Sequence, residues 1–192
     1  GNPYFHFEDD LPLVKNGMTP LYIAAQAGYT AVVQSFLTTH ANPNLGTTED
    51  GETPLFVAAK ENDLGVARAL LANGAEVNQP IADDGMTPLY IASKLGHLTM
   101  VLDLLNHGAD PNKKISYGGE TSLITATETD EIEVVRALLA GGADVNQSTN
   151  DGGMSPLLIA TRHDNVALVK LLLQYNANPF LQGLFGDCNF ID

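Results

Sequence analysis

The side chains best suited to chemistry in this sequence are five histidines and a single cysteine, and they are scattered along the chain. They are His6, His40, His97, His107, His163 and Cys188. Catalysis requires a nucleophile, an acid, a base or a metal brought together at a defined spacing. The sequence has no phosphate-binding glycine loop, zinc-binding histidine pair, nucleophile elbow or paired cysteines. It therefore predicts structural roles for the histidines, no catalytic residue, no metal, no cofactor and no enzymatic activity.

Acidic side chains dominate the chain, and this balance narrows the choice of partner. There are 23 Asp and Glu residues against 9 Lys and Arg, which gives a formal net charge of −14. Affinity for DNA or RNA comes largely from Lys and Arg that neutralise phosphates, so a nucleic-acid partner is excluded. A basic protein would instead be steered towards such a surface by long-range attraction.

The compartment is predicted from hydropathy and from the cysteine content. No stretch approaches the roughly 18 to 20 apolar residues that span a bilayer, and the first residues lack the order of a signal peptide. Cys188 stands alone and cannot form an internal disulfide, which fits a reducing compartment. We therefore expect an intracellular monomer, cytoplasmic or nuclear, without a membrane partner. Delivery into a host cell is the expectation if the chain is a bacterial effector.

A period of 34 residues organises the sequence. Five glycines keep this spacing without a slip, and a column of asparagines follows in four of the five units. The glycines are Gly17, Gly51, Gly85, Gly119 and Gly153, and the asparagines are Asn44, Asn78, Asn112 and Asn146. Such a register predicts a solenoid in which each unit contacts only its neighbours.

The sequence pattern of each unit predicts two short helices. Thr19, Pro20 and Leu21 open the first, because a threonine oxygen caps a helix and proline suits its first turn. This helix is expected over about 20–27, and Gly28 ends it in a left-handed conformation. The second helix, for example 132–139, has apolar residues at three- and four-residue spacing. Both are too short to be stable alone, so we expect leucine columns to fill a continuous core between units. One such column is Leu37, Leu71, Leu105, Leu139 and Leu173.

The unit pattern G-x-T-P-L-x-x-A-A, then V-V-x-x-L-L, then G-A-D-V-N resembles the ankyrin repeat over residues 16–180. The resemblance implies an all-α repeat solenoid of five helix-turn-helix units, each with a finger loop or β-hairpin, and a concave binding face. Residues 1–15 form an N-terminal extension, and 181–192 form a tail or the start of a truncated repeat. The histidine usual after Thr-Pro-Leu is replaced, so its hydrogen bond must be absent or substituted. The replacements are Tyr22, Phe56, Tyr90, Ile124 and Leu158.

The resemblance further implies that partners contact the finger loops and the exposed ends of the first helices. The predicted partner-binding residues are Met18, Gln26, Glu49, Asp50, Glu52, Lys60, Glu61, Asp83, Asp84, Met86, Lys94, Leu95, Tyr117, Glu120, Glu128, Asp151, Met154, Arg162 and His163. Carboxylates concentrate in the fingers of repeats two to four, which favours a basic partner. An acidic rim that only aids solubility gives the same pattern.

Two columns within this set have competing interpretations. One row alternates Met18, Glu52, Met86, Glu120 and Met154. Methionine adapts well to binding surfaces, but each one can equally pack on its neighbouring finger. The aromatic column of Tyr22, Phe56 and Tyr90 can stack on a ligand, although a position inside the repeat frame favours packing between units.

The sequence thus predicts a protein–protein interaction module. One alternative is the targeting part of a larger enzyme or of a bacterial effector. Another, in which the chain is a substrate, follows from the resemblance, since proteins of this family can be hydroxylated on the column asparagine by an asparaginyl hydroxylase. Asn78 and Asn146 match that target context best, with Leu70 and Leu138 eight residues upstream. A column asparagine that hydrogen-bonds loop backbone explains the same recurrence without modification.

Overall fold

The computed structural model describes residues 17–183, and this part of the chain forms five pairs of helices. The predicted N-terminal extension with His6, and Cys188 in the predicted tail, lie outside the described residues. The first helices of the pairs are α1 (Pro20–Gln26), α3 (Pro54–Lys60), α5 (Pro88–Lys94), α7 (Ser122–Glu128) and α9 (Pro156–Arg162). The second helices are α2 (Thr30–Thr38), α4 (Leu64–Ala72), α6 (Leu98–Asn106), α8 (Ile132–Ala140) and α10 (Val166–Gln174).

The start of every first helix follows from the cap predicted from sequence. The Thr19 hydroxyl accepts a hydrogen bond from the Tyr22 N–H at 3.0 Å, and the equivalent threonine or serine does so in each later repeat. Repeat four has Ser122 in place of proline, and α7 still begins there because the cap is retained. The cap prediction is confirmed in all five repeats.

The turn between the two helices of each repeat needs a left-handed residue, as predicted. Gly28 and Gly96 have φ of 70° at this point, and Asn62, Asp130 and Asp164 have φ between 52° and 59°. Asn and Asp tolerate this region better than other side chains do. The chain therefore reverses at the same place in every unit, which brings the second helix back onto the first.

The core runs continuously through the stack. Each first helix packs against the first helix of the next repeat, and each second helix packs on its own partner. Ala58, Ala92, Ala126 and Ala160 are fully buried, and a methyl side chain lets neighbouring helices approach closely. Burial between units replaces the stability that helices of seven to nine residues lack on their own.

The second-helix leucine column lies partly at the edge of this core, which corrects the sequence expectation. Leu71 and Leu105 are half-buried, and Leu173 is 45% exposed. The fully buried positions are one residue earlier, at Leu70, Leu104, Leu138 and Leu172. The helix of the next repeat covers the second column only in part, and within residues 17–183 no next helix covers Leu173.

The fingers, residues 47–52, 81–86, 115–120 and 149–154, are loops and contain no β-strand within the described chain. Each is closed by one backbone hydrogen bond between its ends, such as the Ile81 N–H to the Met86 carbonyl at 2.9 Å. Successive fingers are also joined, since the Ala82 N–H donates to the Asp50 carbonyl at 2.8 Å. Gly51 has φ of 70°, and a β-carbon there would lie 3.0 Å from Ala82 N. The glycine register therefore reflects a conformation and a clearance that only glycine satisfies.

Candidate protein-binding face

We call the finger face the surface formed by the finger loops and by the C-terminal ends of the first helices. It runs without a break from repeat one to repeat five, because both the fingers and the first helices are joined to those of the next repeat. The finger residues Glu49, Asp50, Asp83 and Asp151 are exposed, and Tyr117 is 84% exposed. The structure thus brings these five predicted finger residues onto one accessible surface.

The alternating row of the finger face is half-buried and is tied to the aromatic column. The Tyr22 hydroxyl donates a hydrogen bond to Glu52 Oε2 at 2.6 Å, and the Tyr90 hydroxyl donates to Glu120 Oε2 at 2.7 Å. Burial first, and then the hydrogen bond to the carboxylate, raise the pKa of both phenols. Each tyrosine therefore reaches the finger of the following repeat, so these bonds lie where the usual histidine bond is missing.

The alternation of methionine and glutamate follows the residue that stands 30 positions earlier. Tyr22 and Tyr90 precede glutamates, whereas Phe56 and Ile124 precede Met86 and Met154. A phenol requires an acceptor when it is buried, and an apolar ring or chain does not. The row consequently repeats every two units, and its alternation results from packing between repeats.

The burial of the individual residues supports the packing interpretation of both columns. Tyr22, Phe56 and Tyr90 are between 1% and 4% exposed, so the prediction of core packing for the aromatic column is confirmed. Met18 and Met86 are half-buried and pack against the core. Sequence reasoning missed the tyrosine–glutamate pairs, although their constant spacing of 30 residues was visible in the sequence.

The ends of the first helices carry charge that differs from repeat to repeat. Lys60 Nζ lies 3.2 Å from Glu52 Oε1, whereas the equivalent position in repeat four is Glu128. Burial and the neighbouring Glu120 raise the pKa of Glu128, against the opposing effects of His163, Lys94 and Arg162. His163 Nδ1 itself lies 3.6 Å from Asp130 Oδ1. Repeats three to five therefore bring charges of both signs close together on this face.

The asparagine column holds neighbouring repeats together through their backbones. Asn78 Nδ2 donates to the Gly108 carbonyl at 3.2 Å, and its Oδ1 accepts from the Asp110 N–H at 2.8 Å. Asn146 Oδ1 likewise accepts from the Asn178 N–H at 2.7 Å. The expected backbone hydrogen bonds are confirmed and account for the recurrence. Hydroxylation of Asn78 and Asn146 stays a prediction.

Replacing Asn112 with alanine is expected to lower the free energy of unfolding by about 1 kcal/mol, because two exposed hydrogen bonds to the next repeat are lost. These are Asn112 Nδ2 to the Gly142 carbonyl and the Asp144 N–H to Asn112 Oδ1. Urea denaturation followed by circular dichroism measures the change. An Asn73→Ala variant is a suitable control, since the Asn73 side chain bonds only within its own helix, to Ala69. Equal losses in the two variants would contradict a role between repeats.

Two of the histidines make structural contacts with backbone carbonyls. His97 lies 3.2 Å from the Lys60 carbonyl and His107 lies 2.7 Å from the Asp103 carbonyl.

Within residues 17–183, no three His, Cys, Asp or Glu side chains lie close enough together to hold a metal ion. The helices of the same region are all too short to cross a membrane. A polar cleft of about 230 Å³ opens on the finger face between Tyr22, Asp50, Glu52 and Lys60.

Helix pairs at a constant 34-residue spacing, joined by stacked fingers, define a helical repeat solenoid. Comparison with known families matches residues 4–81 and 113–182 to ankyrin repeats in three copies, and residues 84–115 to a further ankyrin repeat. The chain therefore belongs to the ankyrin-repeat family. A comparison with curated proteins gives no match. Ankyrin repeats generally mediate protein–protein interaction and are typically not enzymes.

Proposed function

We propose that this chain is an interaction module whose finger face binds a basic segment of a protein partner. The observation that supports this most directly is the composition of the face. Its nineteen predicted residues include nine carboxylates and only three Lys or Arg. The carboxylates of Glu49, Asp50 and Asp83 are exposed and accept no hydrogen bond from the described residues. They are free to attract cations.

The spacing of the repeats suits an extended chain. Packed helices lie about 8 to 10 Å apart, and an extended peptide advances about 3.3 Å per residue. A segment lying along the finger face thus passes one repeat about every three residues. A partner with Lys or Arg at that spacing would place one cation beside each finger.

The face is also largely preformed. Backbone hydrogen bonds close each finger and join the four described fingers to one another, for example between the Ser116 N–H and the Asp84 carbonyl at 2.6 Å. A surface that is already ordered loses little conformational entropy when it binds. A stable complex of this kind would bury about 1,200 to 2,000 Å². The proposal includes a monomer acting in the cytoplasm or nucleus, as the sequence predicts.

Charge reversal on two fingers is expected to weaken capture of the partner strongly. We would immobilise the chain and a Glu49→Lys, Asp83→Lys variant, and compare by mass spectrometry the proteins retained from a cell lysate. Both substitutions are at exposed residues, and the variant should weaken binding about tenfold or more through lost charge complementarity. Retention by the parent should fall between low salt and about 0.15 M salt.

The matched control is Glu76→Lys, Glu133→Lys, which changes net charge equally at exposed residues away from the finger face. A basic protein retained by the parent and by the control, but lost by the finger variant, would support the proposed function. If both variants lose the same proteins, only net charge matters. If the finger variant retains everything that the parent retains, the finger face is not the binding surface.

A further inference from the structure

The two-repeat period makes two places on the finger face equivalent. Tyr22, Glu52 and Lys60 stand 68 residues before Tyr90, Glu120 and Glu128. The tyrosine–glutamate hydrogen bond is the same in both sets, through Oε2 of the carboxylate. Only the third residue differs, a lysine in repeat two and a glutamate in repeat four.

The first place is closed by the chain itself. Glu52 Oε2 accepts from the Tyr22 hydroxyl at 2.6 Å, and Glu52 Oε1 accepts from Lys60 Nζ at 3.2 Å. Glu52 is therefore fully paired, with the phenol on one carboxylate oxygen and an ammonium group on the other. Repeat two shows directly that this position accommodates an ammonium group.

The second place lacks that ammonium group. Glu120 Oε2 accepts from Tyr90, but no donor within residues 17–183 reaches Glu120 Oε1. A β-carbon placed on Gly118 would lie 3.9 Å from Glu120 Oε1 and 3.8 Å from Asp151 Oδ2, so both oxygens lie next to this glycine. Lys94 and Arg162 are near Glu128, yet within the described residues neither pairs with Glu120 or Glu128 within 4 Å.

We propose that Glu120, Glu128 and Asp151 receive a lysine side chain of the partner, which takes the place that Lys60 occupies in repeat two. The inference rests on the proposed function and names the position of one cation of the basic segment. It would give Glu120 Oε1 an ammonium donor equivalent to the one that Glu52 Oε1 has in Lys60.

Two reciprocal substitutions test this site. Glu128→Lys should give the second place an ammonium group from the chain itself, and Lys60→Glu should remove that group from the first. The probe is a fluorescein-labelled peptide with lysine at every third position and glycine between, about nine residues long, which spans about three repeats. Fluorescence anisotropy would measure its binding to the whole chain at low salt. Glu133→Lys is the control, since it changes the charge by the same amount on α8, away from the finger face.

Glu128→Lys is expected to weaken binding about fivefold, Glu133→Lys less than twofold, and Lys60→Glu to strengthen it. Melting curves would confirm that each variant is folded. If Glu128→Lys and Glu133→Lys have equal effects while the Glu49→Lys, Asp83→Lys variant loses binding, the lysine site is wrong and the proposed function stands. If the parent does not bind the peptide, or if the finger variant binds it unchanged, both proposals are overturned.

Discussion

Replacing Phe56 with alanine is expected to lower the free energy of unfolding by about 3 to 5 kcal/mol, the cost usual for removing a buried aromatic ring. Phe56 is 1% exposed and is among the largest fully buried side chains of the described residues. It lies on α3, which packs against α1, α4 and α5, so the cavity would open where two interfaces between repeats meet. The loss is a large part of the roughly 5 to 15 kcal/mol that stabilises a typical domain.

Urea denaturation, followed by circular dichroism at the helix signal, measures this change. Ile23→Ala is the control, because Ile23 is 48% exposed on α1 and should cost less than about 1 kcal/mol. A repeat array can lose cooperativity when one interface weakens. For Phe56→Ala, the free energy of unfolding could depend less steeply on urea concentration, or a second transition could appear. Either result would locate the weakness between repeats. A loss no greater than that of Ile23→Ala would contradict the central position assigned to Phe56.

Local features of the fold are predictable from the sequence because they depend on a few neighbouring residues. Thr19 and Pro20 specify a helix start, and Gly28 or Asn62 specifies the left-handed turn that follows the helix. The 34-residue period then copies these elements along the chain. The same reasoning placed Leu173 in the core, because a column of equivalent residues does not show which repeat lacks a following helix to cover it.

The contacts of the face were less predictable, because they join residues of different repeats. The exposure of Glu49 and Asp83 follows from their position in fingers. The pairing of Tyr22 with Glu52 requires knowing that a first helix reaches the next finger, which sequence spacing alone does not reveal. The same holds for Lys60, whose ammonium group returns eight residues to the finger of its own repeat. For the alternating row, the sequence therefore left both binding and packing open, and the contacts of Tyr22 and Tyr90 favour packing.

Replacing Glu120 with methionine is expected to lower the free energy of unfolding by about 2 kcal/mol, because the buried Tyr90 hydroxyl loses a charged acceptor. Tyr90 is 3% exposed, so water cannot readily replace the carboxylate. Tyr90→Phe should cost about 1 kcal/mol, since the half-buried Glu120 can still be hydrated. Denaturation in urea, at the same temperature and salt, gives both values.

The double variant, Tyr90→Phe with Glu120→Met, should recover most of this loss and lie within about 0.5 kcal/mol of the parent. It recreates the apolar combination that the chain already uses one repeat earlier, with Phe56 and Met86 at the same spacing. The two single losses would then together exceed the double loss by about 2.5 to 3 kcal/mol, which is the coupling between the phenol and the carboxylate. Additive losses would mean that the hydrogen bond contributes nothing specific. In that case the two-unit alternation would not arise from the pairing of tyrosine with glutamate.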